Sequence, residues 1–121
     1  MNVITQTSHQ QAFGPGKEEI MLIRRWQAAV VPQKEQIVRM FEMEGLEPFE
    51  EIFPSGAEIK DHRHPFDEVR MVASGELLLN IAGNQLLLRA GDRITIPSNT
   101  KHSKKVNGES ECVCICSKKA F

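Results

Sequence analysis

GAEIKDHRHPFDEVRMVASG, residues 56–75, has a later counterpart in GDRITIPSNTKH, residues 91–102. Three of the chain's four histidines, His62, His64 and His102, fall in these two segments, and Glu68 lies beside them. Along an extended strand, side chains at i and i+2 share a face, so His62 and His64 converge on one point while Arg63 points away. Pro65 ends the first extended run, Phe66 and Asp67 carry the chain round, and Glu68 opens the next run aimed back at the same point. His102 must then arrive from a distant segment, as a ligand does when a barrel closes. Neutral imidazoles with one carboxylate suit a divalent first-row transition metal, whereas calcium and magnesium prefer oxygen shells. By ligand type, His62, His64, Glu68 and His102 are expected to hold one such ion, with Fe, Mn, Ni and Zn all compatible.

On either side of these segments the chain consists of short extended runs separated by turns: 49–53, 57–60, 69–73, 77–81, 85–89, the stretch around Ile94 and Ile96, and 111–117. Ala82-Gly83-Asn84 reads as the turn of a hairpin. Many short strands with Gly and Pro turns argue for a closed or two-sheet antiparallel barrel. Upstream, Pro32 followed by Gln-Lys-Glu-Gln fits a helix start, with Ile37, Val38, Met40 and Phe41 on one side and Gly45 just past the end. This helix is expected to cover an open end or edge of the sheet. The apolar run 20–26 is too short to decide between strand and helix by periodicity and is read as a strand. Residues 1–16, rich in Gln, Ser and Thr and closing on Gly14-Pro15-Gly16, read as a flexible arm with His9 as a solvated residue in it. The expected organisation is therefore an arm over 1–16, a strand and helix extension over 17–45, and a barrel over 46–121.

The spacing Gly56-x5-His62-x-His64-x3-Glu68-x6-Gly75, with Gly91-x5-Pro97-x-Asn99-x2-His102, resembles the two signature motifs of the cupin superfamily in its small single-domain form. The first motif matches at every defined position. In the second, Asn99 stands where glycine is usual, a mild change because Asn tolerates the left-handed conformation a turn requires. The asparagine that often trails the histidine has no counterpart at Val106, although Asn107 is one residue later. The resemblance covers about residues 45–117. It implies an all-β, antiparallel double-stranded β-helix, or jelly roll. It also implies a metal site shared by dioxygenases, isomerases, decarboxylases and non-catalytic binders, on a barrel that often dimerises.

A chain of 121 residues is one domain, and a net charge of -1 from 15 basic and 16 acidic side chains gives no sign of nucleic-acid or anionic-membrane binding. The first residues lack the basic start and apolar stretch of a signal peptide, so a cytoplasmic protein is expected. Cys112, Cys114 and Cys116 alternate along one strand face, too far apart for easy bridging, and are read either as small core residues or as thiols lining the cavity. Strand parity also turns Arg70 and Val72 inward with Glu68, making both substrate-binding candidates. A buried guanidinium must find an anion, which for Arg70 is a substrate acid group, Glu68 itself or another wall carboxylate; the alternative is a bulge that sends it to solvent or to Asp67 or Glu76. In the 77–88 hairpin both faces are apolar: Leu77, Leu79 and Ile81 fill the barrel, while Leu78 and Leu87 call for a cover, either the amino-terminal segment or a second copy, and a homodimer is expected. The cavity is expected to be lined by Leu, Ile, Val and Met. An octahedral ion held by four ligands keeps two positions for a small-molecule ligand. The reading is a mononuclear metal-binding cupin, a small-molecule metalloenzyme of oxygenase or isomerase type acting on an organic acid. The alternative is a non-catalytic sugar- or acid-binding or sensing protein.

Overall fold

The computed structural model describes residues 3–4, 11–12 and 20–119. Strands β1 (Val3–Ile4), β2 (Gln11–Ala12) and β3 (Ile20–Trp26) precede helix α1 (Lys34–Met43). Eight more strands follow: β4 (Phe49–Phe53), β5 (Glu58–His62), β6 (Asp67–Ser74), β7 (Glu76–Ile81), β8 (Asn84–Leu88), β9 (Arg93–Ile96), β10 (His102–Asn107) and β11 (Cys112–Lys119). One sheet runs β1-β3-β9-β6-β11-β4, with β2 also on β3, and the facing sheet runs β5-β10-β7-β8; all pairs are antiparallel. This is the two-sheet β fold the sequence implied. Of the arm expected over 1–16, the two described segments pair with β3; His9 and the remainder lie outside the described residues.

The space between the sheets is filled by period-two alternation. Val72 from β6, Leu77, Leu79 and Ile81 from β7, Leu88, Ile94, Ile96 and Val106 meet Cys112, Cys114 and Cys116 from β11 in one buried cluster. Each fully buried Leu or Ile contributes about 1.5–3 kcal/mol of hydrophobic stabilisation. The β7–β8 hairpin turns on two residues, Ala82 (φ 49) and Gly83 (φ 86), with Ile81 opposite Asn84. Two successive positive φ values are the mark of the tight turn whose twist matches that of the strands.

Helix α1 departs from the expected position at an end or edge of the barrel. It lies on the outer face of the larger sheet, where Ile37 and Phe41 pack on Val69, Met71 and Ile115. The reason is that β6 and β11 are apolar on both faces, and the outer face needs its own cover. The helix opens with Gln36 Oε1 accepting from the Gln33 backbone N–H at 2.8 Å, which satisfies one of the donors exposed at a helix start. Arg93 clamps its far end to the sheet by pairing both nitrogens with Glu44 at 2.6 and 2.7 Å.

The glycine that closes the first motif is required twice over. Gly75 has φ +80, and a Cβ there would run into the Glu111 carbonyl in the loop before β11. Gly56 also has positive φ, but a Cβ would meet nothing within 4 Å. Gly75→Ala is therefore expected to cost clearly more than Gly56→Ala in urea unfolding, about 2–4 kcal/mol against about 1 kcal/mol.

Candidate metal centre

Each candidate ligand is delivered by a different local device. His62 ends β5 and sits directly opposite His102 of β10. The β5–β10 register shifts between His102 and Lys104, which pair with His62 and Ile59, so β5 carries one extra residue. That bulge reverses strand parity, and both Ile59 and His62 line the interior although they are three residues apart. The Lys60 carbonyl it frees stands 2.8 Å from His62 Nδ1. His64 lies just beyond the end of β5, stacked on Phe66 at 4.7 Å between ring centroids. Its carbonyl accepts the Asn99 N–H at 2.6 Å, and Asn99 has φ +59, the left-handed turn read from the sequence. His102 Nδ1 lies 2.9 Å from the Thr100 carbonyl. In His62 and His102 the Nδ1–H thus donates to backbone, which leaves Nε2 as a lone pair directed into the barrel.

The three imidazole donors all lie within 4.8 Å of one another, with His62 and His64 Nε2 3.1 Å apart. Glu68 joins them: its Oε1 is 3.1 Å from His64 Nε2 and 3.3 Å from His102 Nε2. Donors bound at about 2.1 Å to one ion stand about 3.0 Å apart at right angles and about 3.4 Å apart at the tetrahedral angle. The three short edges of 3.1, 3.1 and 3.3 Å fall in that range, and the three histidines form the candidate metal site, with Glu68 against two of them.

Electrostatics prepare the same chemistry. Burial works to raise the Glu68 carboxyl, but contact with His102 and the charges of Arg70 and Lys104 outweigh it and hold the group well below the usual carboxylate range. Burial also pushes His64 down, more strongly than Glu68 pulls it up, so it is neutral and able to ligate at physiological pH.

Arg70 points inward, as parity required, and of the anions open to it the structure pairs it with Glu68 and a second wall carboxylate. Its Nε donates to Glu68 Oε2 at 2.8 Å and its Nη2 to Glu51 Oε1 at 2.6 Å, with the guanidinium over the Phe53 ring. Two of its donors are spent on protein carboxylates, and it orients Glu68 so that Oε1 faces the imidazoles. Val72 is fully buried one strand step deeper, in the apolar cluster below the cavity. Among the cysteines, Cys116 reaches the cavity wall, while Cys112 and Cys114 lie behind it with sulfurs 3.8 Å apart.

The cavity holds about 520 Å³, and its apolar lining differs from the expected Leu, Ile, Val and Met: it is Phe49, Phe53, Phe66 and Ile59. The small aliphatics fill the opposite half of the barrel, and Met71 faces α1. The residue that the sequence reading missed is Lys104. Its ammonium is 3.2 Å from Glu68 Oε2 and 3.3 Å from His102 Nε2, buried on the same face of β10 as His102. Burial and the Arg70 charge push its pKa down, against the pull of Glu68. Strand parity from His102 would have found it, had the polar run 102–107 been read as a strand.

Two facing antiparallel sheets carrying a three-histidine candidate metal site make a β-sandwich barrel, and sequence comparison gives the family. A model of the cupin domain matches residues 49–118, more than half of the chain, which therefore belongs to the cupin family. An acireductone dioxygenase from Bacillus licheniformis is 33% identical over 61 residues, covering 46% of this chain and 34% of that protein. Among solved structures, an acireductone dioxygenase from Bacillus anthracis with a cadmium ion in its active centre superposes with a TM-score of 0.58 at 18% identity, over 84% of this chain and 78% of that one. A DMSP lyase from Ruegeria pomeroyi gives 0.57 at 21% identity, over 62% and 38%. The chain thus spans about a third of the length of the B. licheniformis enzyme, and the two structures speak for the fold alone. No helix among the described residues is long and apolar enough to cross a membrane.

Removing the guanidinium would strand two carboxylates. Arg70→Met is expected to lower stability by about 3–5 kcal/mol at neutral pH, the usual cost of breaking a buried ion pair from one side. Because the pairing depresses the Glu68 pKa, its stabilisation is present above the carboxylate range and lost as pH falls through it. Urea unfolding should accordingly show the gap between wild type and variant narrowing towards acid pH.

Proposed function

We propose that the protein is a mononuclear metal-dependent cupin that acts on a small organic acid, as an oxygenase or isomerase. The observation that carries this reading is the grouping of three imidazole nitrogens within 4.8 Å of one another, with Glu68 Oε1 3.1 and 3.3 Å from His64 and His102, beside a cavity of about 520 Å³ that His62, His64 and Glu68 line. His62, His64, Glu68 and His102 would hold the ion, which when bound supplies Lewis-acid or redox chemistry. The protein contributes orientation and a partly apolar wall. Three carboxylates (Glu47, Glu51, Glu68) line the cavity against three cations (Arg70, Lys104, Lys118), so the lining is balanced before an ion's charge is added. A divalent ion leaves the cavity with an excess positive charge, which favours an anionic ligand over a neutral one. The similarity to an acireductone dioxygenase over 61 residues supports the oxygenase branch. The rival reading, a binder without turnover, draws on the absence of any tyrosine in the chain, which removes one common proton carrier.

Elemental analysis of protein purified without added metal is expected to find one transition-metal ion per chain. His102→Ala should weaken metal binding by more than about a hundredfold, beyond what loss of a supporting contact alone causes. Metal retention should also fall in acid, because imidazoles must be neutral to ligate. Metal-free preparations that cannot be loaded at neutral pH would end the proposal. Oxygen uptake on addition of candidate acids separates oxygenase from binder.

We propose a homodimer as well, formed through the outer face of the hairpin, where Leu78 lies opposite Leu87 and both remain partly exposed. Light scattering should give a dimer mass, and Leu78→Lys with Leu87→Lys should give a monomer that retains its fold.

A further inference from the structure

Lys104 is a cation placed where a metal site has no evident need of one. Its side chain is 4% exposed, and it lines the cavity. Its ammonium offers three donors, of which one meets Glu68 Oε2 at 3.2 Å and another His102 Nε2 at 3.3 Å. His102 has only one lone pair to give, because its Nδ1–H is committed to the Thr100 carbonyl at 2.9 Å. That lone pair cannot serve an ammonium and a metal together. In any arrangement where His102 ligates an ion, Lys104 has released it, while Glu68 Oε2 still tethers the ammonium at the cavity wall.

We infer that Lys104 is the anion-recognising residue of this cavity, an ammonium that exchanges its contact with His102 for a carboxylate of the small-molecule ligand; the inference rests on the metal-centre reading above. Among the described residues Arg70 is the only other cation buried in the lining, and its donors are largely committed. Its Nε and Nη2 are held by Glu68 and Glu51, and its remaining nitrogen, Nη1, is fully buried. Lys118 lies at the exposed rim with its ammonium 5.2 Å from the Phe66 ring centroid. Lys104 alone combines depth, a releasable partner and a short tether. The ligand class follows: a compact carboxylate that reaches Lys104 from the cavity, in preference to an uncharged sugar.

The test uses full-length protein loaded with Co2+, whose visible absorption reports both metal binding and changes in its ligands, and oxalate as the anion. Wild type should bind Co2+ and then oxalate. Lys104→Met should bind Co2+ at least as tightly as wild type, since a like charge has left the site, and oxalate about ten- to a hundredfold more weakly, the usual worth of a hydrogen bond to a charged group. Lys104→Gln should behave the same way and stands in if the Met variant does not fold, as judged by thermal melting. Lys104→Arg should recover part of the oxalate affinity. Oxalate affinity unchanged in the Met or Gln variant overturns the inference and leaves the metal centre intact. So does a Co2+-loaded wild type that ignores oxalate. Loss of Co2+ binding in both neutral variants would make Lys104 a support for the ligands and equally overturn it. Wild type that binds no Co2+ removes the metal-centre reading itself, and this inference with it.

Discussion

Glu68 is 5% exposed, and an ionised carboxylate that deep in a barrel costs several kcal/mol unless its charge is met on every side. Much of the upper barrel is arranged to meet it. Arg70 donates to one oxygen from the same strand, Lys104 approaches from β10 in the facing sheet, and the imidazoles of His64 and His102 face the other oxygen. Arg70 then needs an anion of its own and finds Glu51 on β4. The chain of charges Glu51, Arg70, Glu68, Lys104 alternates in sign and joins β4, β6 and β10, so both sheets must be in register for any member to be satisfied. Such a chain contributes little to net stability, but breaking it is costly, which ties the site geometry to correct assembly of the barrel.

The polar half depends on an apolar half that closes completely. Below the charged residues, Val72, Leu77, Leu79, Ile81, Leu88, Ile94 and Ile96 exclude water, with Cys112 and Cys114 as small fillers on the same face of β11. The division along β6 is visible residue by residue: Glu68 and Arg70 face the cavity, Val72 the floor, and Val69 and Met71 the helix on the other side. One strand therefore serves three environments. Its neighbour β11 does the same with Ile115 outward under α1 and Cys116 inward at the cavity wall.

The meeting of His62, His64 and Glu68 was legible in the sequence because it depends on short-range spacing. His62, His64 and Glu68 are placed by a strand end and a turn, and a positive φ at Asn99 followed from side-chain chemistry. What was hidden depends on pairing between distant segments. Strand β10, His102–Asn107, has two lysines among six residues and no continuous apolar alternation, so it did not read as a strand, and Lys104 was lost with it. The bulge in β5 leaves no compositional mark, since Lys60 and Asp61 are ordinary surface residues. The site of α1 was misjudged because an amphipathic helix shows that it has an apolar side, not which surface that side covers. The aromatic lining of the cavity escaped because Phe49, Phe53 and Phe66 come from segments whose closeness only the closed barrel creates.

The two sequence motifs are coupled through backbone, which ties together the turns that carry His64 and His102. The His64 carbonyl accepts from the Asn99 N–H at 2.6 Å, and Arg63 reaches across to the Asn99 carbonyl at 3.0 Å. The turn that carries His102 is thus fastened to the turn that carries His64. His62 and His102 are each oriented by a carbonyl two residues earlier in their own segments, at Lys60 and Thr100. No ligand ring among these is held by a long, mobile side chain. Ordering entropy that a flexible site would lose on binding an ion is lost here during folding, so binding energy remains available for the ion and its ligand. An asparagine in place of a glycine at position 99 is compatible with this arrangement because what the coupling uses is the left-handed backbone and its N–H, both of which asparagine supplies.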